Sequence, residues 1–408
     1  MISEVNAMLM QFRVKNYRSI GDELILDLTA GSGREHSDFL VENNGVKMLP
    51  IISLYGGNAS GKTAVIEAVC EILINISESY RFGDKYGWLT TPFLYDSSLR
   101  KKPSEFEIFV ALDKYEYQYG FIATPEKIEE EWLYRRTLST RKTKSYPIFE
   151  RENDKIEFAK PFAQLEGFND LIGEKNLVLS FLGNQSMKKN VKPVKIFKDI
   201  YSWVRGSFFF NVEIVDDDRW YSLYSDSDGL KDKFLEFIHE FDPHIEDIDV
   251  TKEINRDGEV EYKVSTLHNG QPYPMEFESL GTQKLFKIFA VIFISLNVAH
   301  SVITYDELDT HLHPLIIRRI VNMFHDKEVN KMNSQLIFTS HNLIVLDNRD
   351  LRRDEIWFVE KNDKGYTSAY SLDSFKSTEK EMRADMSYGK NYLAGRFGAI
   401  PFTTALKR

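Results

Sequence analysis

Met48-Leu49-Pro50-Ile51-Ile52-Ser53-Leu54-Tyr55-Gly56-Gly57-Asn58-Ala59-Ser60-Gly61-Lys62-Thr63 is the stretch on which the reading of this chain turns. Its second half is a complete G-x-x-x-x-G-K-[ST] loop. Gly56 and Gly61 allow the backbone to curl, so that N–H groups from Gly56 through Gly61, with Gly57, Asn58, Ala59 and Ser60 between, face phosphate oxygens. Lys62 reaches the β- and γ-phosphates, and the Thr63 hydroxyl ligates Mg²⁺. Met48 to Tyr55 is an apolar run of strand length. Ala64, Val65, Ala68, Val69, Ile72, Leu73 and Ile76 follow at helical spacing. Strand, loop and helix in this order predict a site for a nucleoside triphosphate.

The composition narrows the class. The chain has 408 residues, 42% hydrophobic and 28% charged, the balance of a globular protein with room for a large core. Its most apolar segment, Ile288 to Val298, follows Lys284 and Lys287 and is too short to cross a bilayer, so it reads as a core helix and no membrane is expected. Met1 to Ala7 contains Glu4 and lacks signal-peptide character; with a single cysteine, Cys70, this points to a cytoplasmic chain without disulfides. Met8 and Met10 suggest that the first residues are incidental to the fold. A net charge of −10 weighs against a surface that coats nucleic acid. Two basic clusters, Arg135 to Lys144 beside Trp132 and Tyr134, and Lys188 to Lys198, could still track a phosphate backbone; a solvated face is the favoured reading.

Three regions emerge along the chain. In residues 1–160, an N-terminal lobe, strands are expected at Gln11–Tyr17 and Leu24–Leu28. A hairpin of Glu105–Leu112 and Glu116–Ile122 closes around Asp113-Lys114, and further antiparallel strands fall within Ile128–Leu138 and Ser145–Phe158. Residues 161–243 read as a helical insertion or arm, with Phe234, Phe237, Ile238 and Phe241 on one stripe. Residues 244–408 form a C-terminal lobe, opening with strands from Ile245 to Val264 around an Asp257-Gly258 turn.

Chemistry concentrates in that last lobe. Val302-Ile303-Thr304-Tyr305 is a short strand ending in Asp306-Glu307. Asp306 can hold the Mg²⁺ shell as a Walker B carboxylate does, and Glu307 can take a proton from water attacking the γ-phosphate. Gln335 to Thr339 is a second strand that, laid parallel beside the first, turns His341 toward the γ-phosphate as a sensor. Glu278-Ser279-Leu280-Gly281-Thr282-Gln283 precedes the long apolar helix. Ser279 and Gly281 there offer a hydroxyl and free N–H groups to an anion, although a plain serine N-cap gives the same pattern.

The order of these motifs resembles the ABC-type ATPase superfamily, in its SMC-, RecF- and OLD-like branch, and most of all the AAA-type proteins of AbiL and RloA kind from bacterial anti-phage systems. Phe12 to Ile20 is similar to the strand-turn that opens such heads. Ser279-Leu280-Gly281-Thr282-Gln283 stands at the ABC signature and departs from LSGGQ. Asp306 to Pro314, with Leu312-His313-Pro314, resembles the joined Walker B and D-loop, and Lys390 to Pro401 resembles the family ending. No Q-loop glutamine is assigned.

The resemblance implies an α/β ABC-type head, a mixed and parallel sheet with helices plus an antiparallel β-subdomain. It implies a homodimer, or a higher oligomer built from it, that sandwiches ATP and Mg²⁺. Lys62, Thr63, Asp306, Glu307 and His341 of one subunit would act on ATP capped by Ser279 and Gly281 of the other. It also implies a separate effector nuclease under ATPase control, with DNA as a further candidate partner. The alternative is a chain that acts on DNA itself, as a repair or processing nuclease or an SMC-like clamp. OLD nucleases carry a Toprim domain after the head, and residues 343–408 are too few for one. Asp216-Asp217-Asp218 reads as a solvated loop, and a transporter ATPase is disfavoured by the signature and the insertion.

Overall fold

The computed structural model describes residues 6–83, 89–140, 143–184, 194–210, 217–226, 229–254, 260–297, 300–375 and 387–400. The first part of the chain gives β1 (Ala7–Lys15), β2 (Leu24–Asp27), β3 (Val41–Asn43), β4 (Val46–Met48), β5 (Ile51–Tyr55) and α1 (Lys62–Glu78). Next come β6 (Ser104–Leu112), β7 (Tyr115–Ala123), β8 (Ile128–Thr137), β9 (Tyr146–Glu152) and β10 (Lys155–Phe158). The middle holds α2 (Val178–Asn184), α3 (Val194–Arg205), β11 (Phe208–Phe210), α4 (Asp217–Asp226) and α5 (Leu230–Ile238). Then follow β12 (Asp247–Ile254), β13 (Val260–His268), β14 (Gln271–Pro274), α6 (Leu280–Asn297), β15 (Val302–Tyr305) and α7 (Pro314–His325). The chain closes with β16 (Gln335–Thr339), β17 (Ile356–Lys361), β18 (Thr367–Ser371) and α8 (Tyr388–Leu393).

The fold is mixed α/β. Six strands form one sheet in the order β11-β15-β16-β5-β17-β18, parallel except for β18 at its edge. Its central strands β5, β15 and β16 are buried along their whole length because both faces are covered. Along β5, Ile52 and Leu54 join the core under α1, while Ile51 and Tyr55 join the core under α6 and α7. The second sheet is antiparallel, in the order β10-β9-β8-β7-β6-β1-β2. The Asp113-Lys114 hairpin forms as expected.

Several expectations are refined. Met8 and Met10 lie buried within β1, so the described part of the N-terminus is structural. Of the insertion or arm expected over residues 161–243, the described residues pack into the body of the fold. Val178, Leu182, Phe197 and Ile200 belong to one core, Phe234 and Phe237 to the other, and β11 pairs parallel with β15. Asp257-Gly258 and Asp216 lie outside the described residues, whereas β14 extends the meander beyond the two strands expected. Helix α6 is longer than the apolar run suggested. It meets the length and composition of a membrane span, yet Phe286, Ala290, Val291 and Leu296 are fully buried in the core.

Candidate nucleotide-binding and hydrolysis site

The site forms where β5, β15 and β16 end side by side, the edge at which open parallel sheets place their ligands. After Tyr55 the chain curls into α1, and packing dictates two glycines. A Cβ on Gly56 would sit 2.3 Å from the Val359 carbonyl oxygen of β17. Gly61 has φ +106°, and a Cβ there would sit 2.2 Å from Thr367 Oγ1 on β18. Lys62 Nζ donates to the carbonyls of Gly56 and Gly57 at 2.9 and 3.1 Å. Burial lowers its pKa, opposed by the carboxylates of Asp306, Glu307 and Asp309.

Asp306 is held from two sides. Thr63 Oγ1 donates to Asp306 Oδ2 at 2.7 Å, and Thr339 Oγ1 donates to Oδ1 at 2.6 Å. The Thr339 hydroxyl also accepts the Glu307 N–H at 2.7 Å. Two hard oxygen donors, Thr63 and Asp306, thus converge beside the phosphate loop, a donor set that fits Mg²⁺ with phosphate oxygens completing the shell.

Glu307 has φ +51°, a left-handed conformation that costs a non-glycine residue about 1–3 kcal/mol. Lys284, the fifth residue of α6, offsets this. Its Nζ donates to the carbonyls of Glu307, Leu308 and Thr310 at 3.0, 3.1 and 2.9 Å and sits 4.9 Å over the Tyr305 ring. Burial pushes Lys284 down to about 8. Thr310 Oγ1 donates to Glu307 Oε2 at 3.1 Å, which aims the carboxylate. His341 is exposed, and its backbone N–H donates to the Asp309 carboxylate at 3.1 Å.

One cavity of about 520 Å³ is lined by Asn58 through Thr63 together with Asp306, Glu307 and His341. Arg18, Tyr95 and Lys361 line it as well. Arg18 does so while paired to Glu67 at 2.5 Å, so the ion pair and the position at the nucleotide site coexist. Gly56 and Gly57 are not among the lining residues. Gly56 packs on β17, and the Gly57 N–H donates to the Ala399 carbonyl at 3.0 Å.

Ser279 and Gly281 also lie outside the cavity. Ser279 Oγ accepts the Thr282 N–H at 3.1 Å, so the hydroxyl does cap α6. A Cβ on Gly281 would sit 2.8 Å from the His311 carbonyl oxygen, which places the start of α6 against the loop after Glu307. Phe277 and Leu280, 63% and 59% exposed, flank this end.

A family model described as "AAA domain, putative AbiEii toxin, Type IV TA system" matches residues 51–347, from β5 past His341. The chain belongs to this AAA family. It is an ATPase-type domain of that family, and the matched range contains the phosphate loop, the α6 start, Asp306-Glu307 and His341. Among solved structures, the SMC head domain from Thermotoga maritima is 15% identical with a TM-score of 0.41, covering 89% of this chain and 98% of that one. The SMC head domain with an extended coiled coil, bound to the C-terminal domain of ScpA from Pyrococcus furiosus, is 12% identical with a TM-score of 0.39, covering 90% and 96%. No curated protein matches the chain.

Sequence reasoning passed over Thr339 and Lys284 as functional residues. Each had a signal: a hydroxyl at the end of the Leu336-Ile337-Phe338 run, and a charge near the start of an apolar helix. The basic clusters have structural partners. Arg136 pairs with Glu116 at 2.7 Å, Arg135 covers the Tyr115 ring at 4.5 Å, and Lys195 pairs with Asp199. Trp132 Nε1 donates to Glu107, and Tyr134 to Glu150. Arg141, Lys142, Lys188, Lys189 and Lys192 lie outside the described residues. Cys70 Sγ lies 3.2 Å from Thr304 Oγ1, and burial pushes its thiol up to about 12, which removes it as a nucleophile.

Proposed function

We propose that this AAA-family chain hydrolyses ATP as a head-to-head homodimer and that its ATP state controls a separate effector nuclease in anti-phage defence. The observation that carries the hydrolytic part is the convergence of Lys62, Thr63, Asp306 and Glu307 on one cavity, with Thr339 bonded to both Asp306 and the Glu307 backbone. Lys62 would hold the β- and γ-phosphates. Glu307 would accept the proton of a water whose oxygen forms the new bond to the γ-phosphorus, while the bridging P–O bond breaks and its electron pair leaves with ADP. Mg²⁺, held by Thr63 and Asp306, would neutralise charge on the phosphates. His341, which lines the same cavity, would contact the γ-phosphate.

The dimer supplies what the single chain lacks. Ser279 and Gly281 stand outside their own cavity, on an α6 end flanked by exposed Phe277 and Leu280, which suits capping of a partner's nucleotide. The effector and defence role rest on the resemblance to AbiL- and RloA-type proteins, since a fold does not fix a function. The test is Mg²⁺-dependent ATP turnover by the purified chain, lost in Lys62→Ala, together with phage restriction that needs both this gene and an adjacent nuclease gene. Restriction by this chain alone, or DNA cleavage by it, would overturn the regulatory reading.

A further inference from the structure

A second cavity, which Asp306 does not line, lies between Gly57–Ser60, the β17–β18 turn and Gly398–Ile400. The tail that closes it is fastened at several points. The Ala399 carbonyl accepts from the Gly57 N–H at 3.0 Å and from the Tyr392 hydroxyl at 3.0 Å. The Ala399 N–H donates to Glu360 Oε2 at 3.0 Å, and the Tyr370 hydroxyl bridges the Phe397 carbonyl at 2.8 Å and Glu360 at 3.2 Å. The Phe397 ring stacks on Phe358 of β17 at 5.4 Å. Ala399 is held at φ +53°, a conformation that needs such fixation in a non-glycine residue.

We propose that the segment Gly395–Ile400 is a strut that sets the shape of the phosphate loop, so that nucleotide affinity depends on the seating of the C-terminal tail. The argument is geometric. Gly56 has no room to move toward β17, because the Val359 carbonyl blocks it, and Gly61 is pinned against Thr367. Gly57 is the next joint of the loop, and its N–H is fixed by a residue more than three hundred positions away in sequence. Releasing Ala399 frees that joint and lets the loop carbonyls that hold Lys62 rotate. Glu360, Tyr370 and Tyr392 are positioning residues, since none of them lines the nucleotide cavity.

The inference rests on the nucleotide-site reading, and its test separates the two. Binding of a fluorescent ATP analogue with Mg²⁺ is measured for the parent, Glu360→Ala and the milder Tyr392→Phe, beside thermal unfolding without nucleotide. Glu360→Ala is expected to weaken binding about tenfold, and Tyr392→Phe less, with unfolding little changed. Linkage requires the reciprocal effect, so nucleotide should slow hydrogen exchange at the Ala399 N–H of the parent by about the same tenfold factor. Parental affinity in both folded variants, or no protection of Ala399 by nucleotide, would overturn the strut while leaving the nucleotide site intact. A parent that binds no nucleotide would overturn both. If Glu360→Ala fails to fold, Tyr392→Phe and the exchange measurement decide.

Discussion

The Thr339 hydroxyl donates to Asp306 Oδ1 at 2.6 Å while accepting the Glu307 N–H at 2.7 Å. One side chain at the end of β16 therefore orients both acids at the end of β15. Thr339→Val keeps the shape and deletes both bonds. Hydrogen bonds to charged groups contribute about 1.5–3 kcal/mol, so turnover is expected to fall about 10- to 100-fold while ATP binding changes far less. Steady-state kinetics beside equilibrium binding check this; an unchanged kcat would remove Thr339 from the mechanism.

Lys62→Ala is expected to abolish nucleotide binding. The ammonium is buried beside the loop, and the methyl group supplies neither charge nor reach. Isothermal titration with ATP is the measurement, and retained tight binding would contradict the phosphate-loop assignment.

How much of this was legible beforehand follows from how local the signals are. The loop from Gly56 to Thr63 announces itself through its own residues, and β6 and β7 through two strand-like runs closed around Asp113-Lys114. Asp306-Glu307 became readable only in series with the loop, because many strands end in acids. Thr339 and Lys284 were hidden because their roles are long-range contacts, to β15 and to the loop after it. Likewise β11, three residues in a helical stretch, owes its strand geometry to pairing with β15 rather than to local pattern.

Ser279 carries two expectations. As an N-cap, Ser279→Ala should cost about 1 kcal/mol of stability through loss of the bond to the Thr282 N–H. As a trans cap, Ser279→Arg should spare ATP binding by the single chain yet prevent dimerisation and turnover. Denaturation and sedentation-free mass measurement by light scattering read the two separately; normal turnover in Ser279→Arg would exclude the trans role.

Glu131 gives a pH signature. It is fully buried and accepts the N–H groups of Val178 and Leu179 at 2.8 and 3.2 Å and the Tyr119 hydroxyl at 2.9 Å. Burial pushes it up to about 7, opposed by Arg151. A carboxyl raised in the folded state stabilises the fold below its unfolded pKa of about 4.5, and that contribution is lost as pH rises through about 7. Glu131→Gln should flatten the stability profile across this window by about 3 kcal/mol. Parallel profiles for parent and variant, measured by urea unfolding, would refute it.

The most direct test of the account is the mass of Glu307→Gln in solution with Mg²⁺ and ATP. Removing the base while keeping Lys62, Thr63 and Asp306 is expected to leave binding intact, block hydrolysis and trap an ATP-dependent dimer that Ser279→Arg in the same chain dissolves. A variant that hydrolyses ATP at the parental rate, or that stays at one mass whether or not ATP is present, would contradict the sandwich dimer.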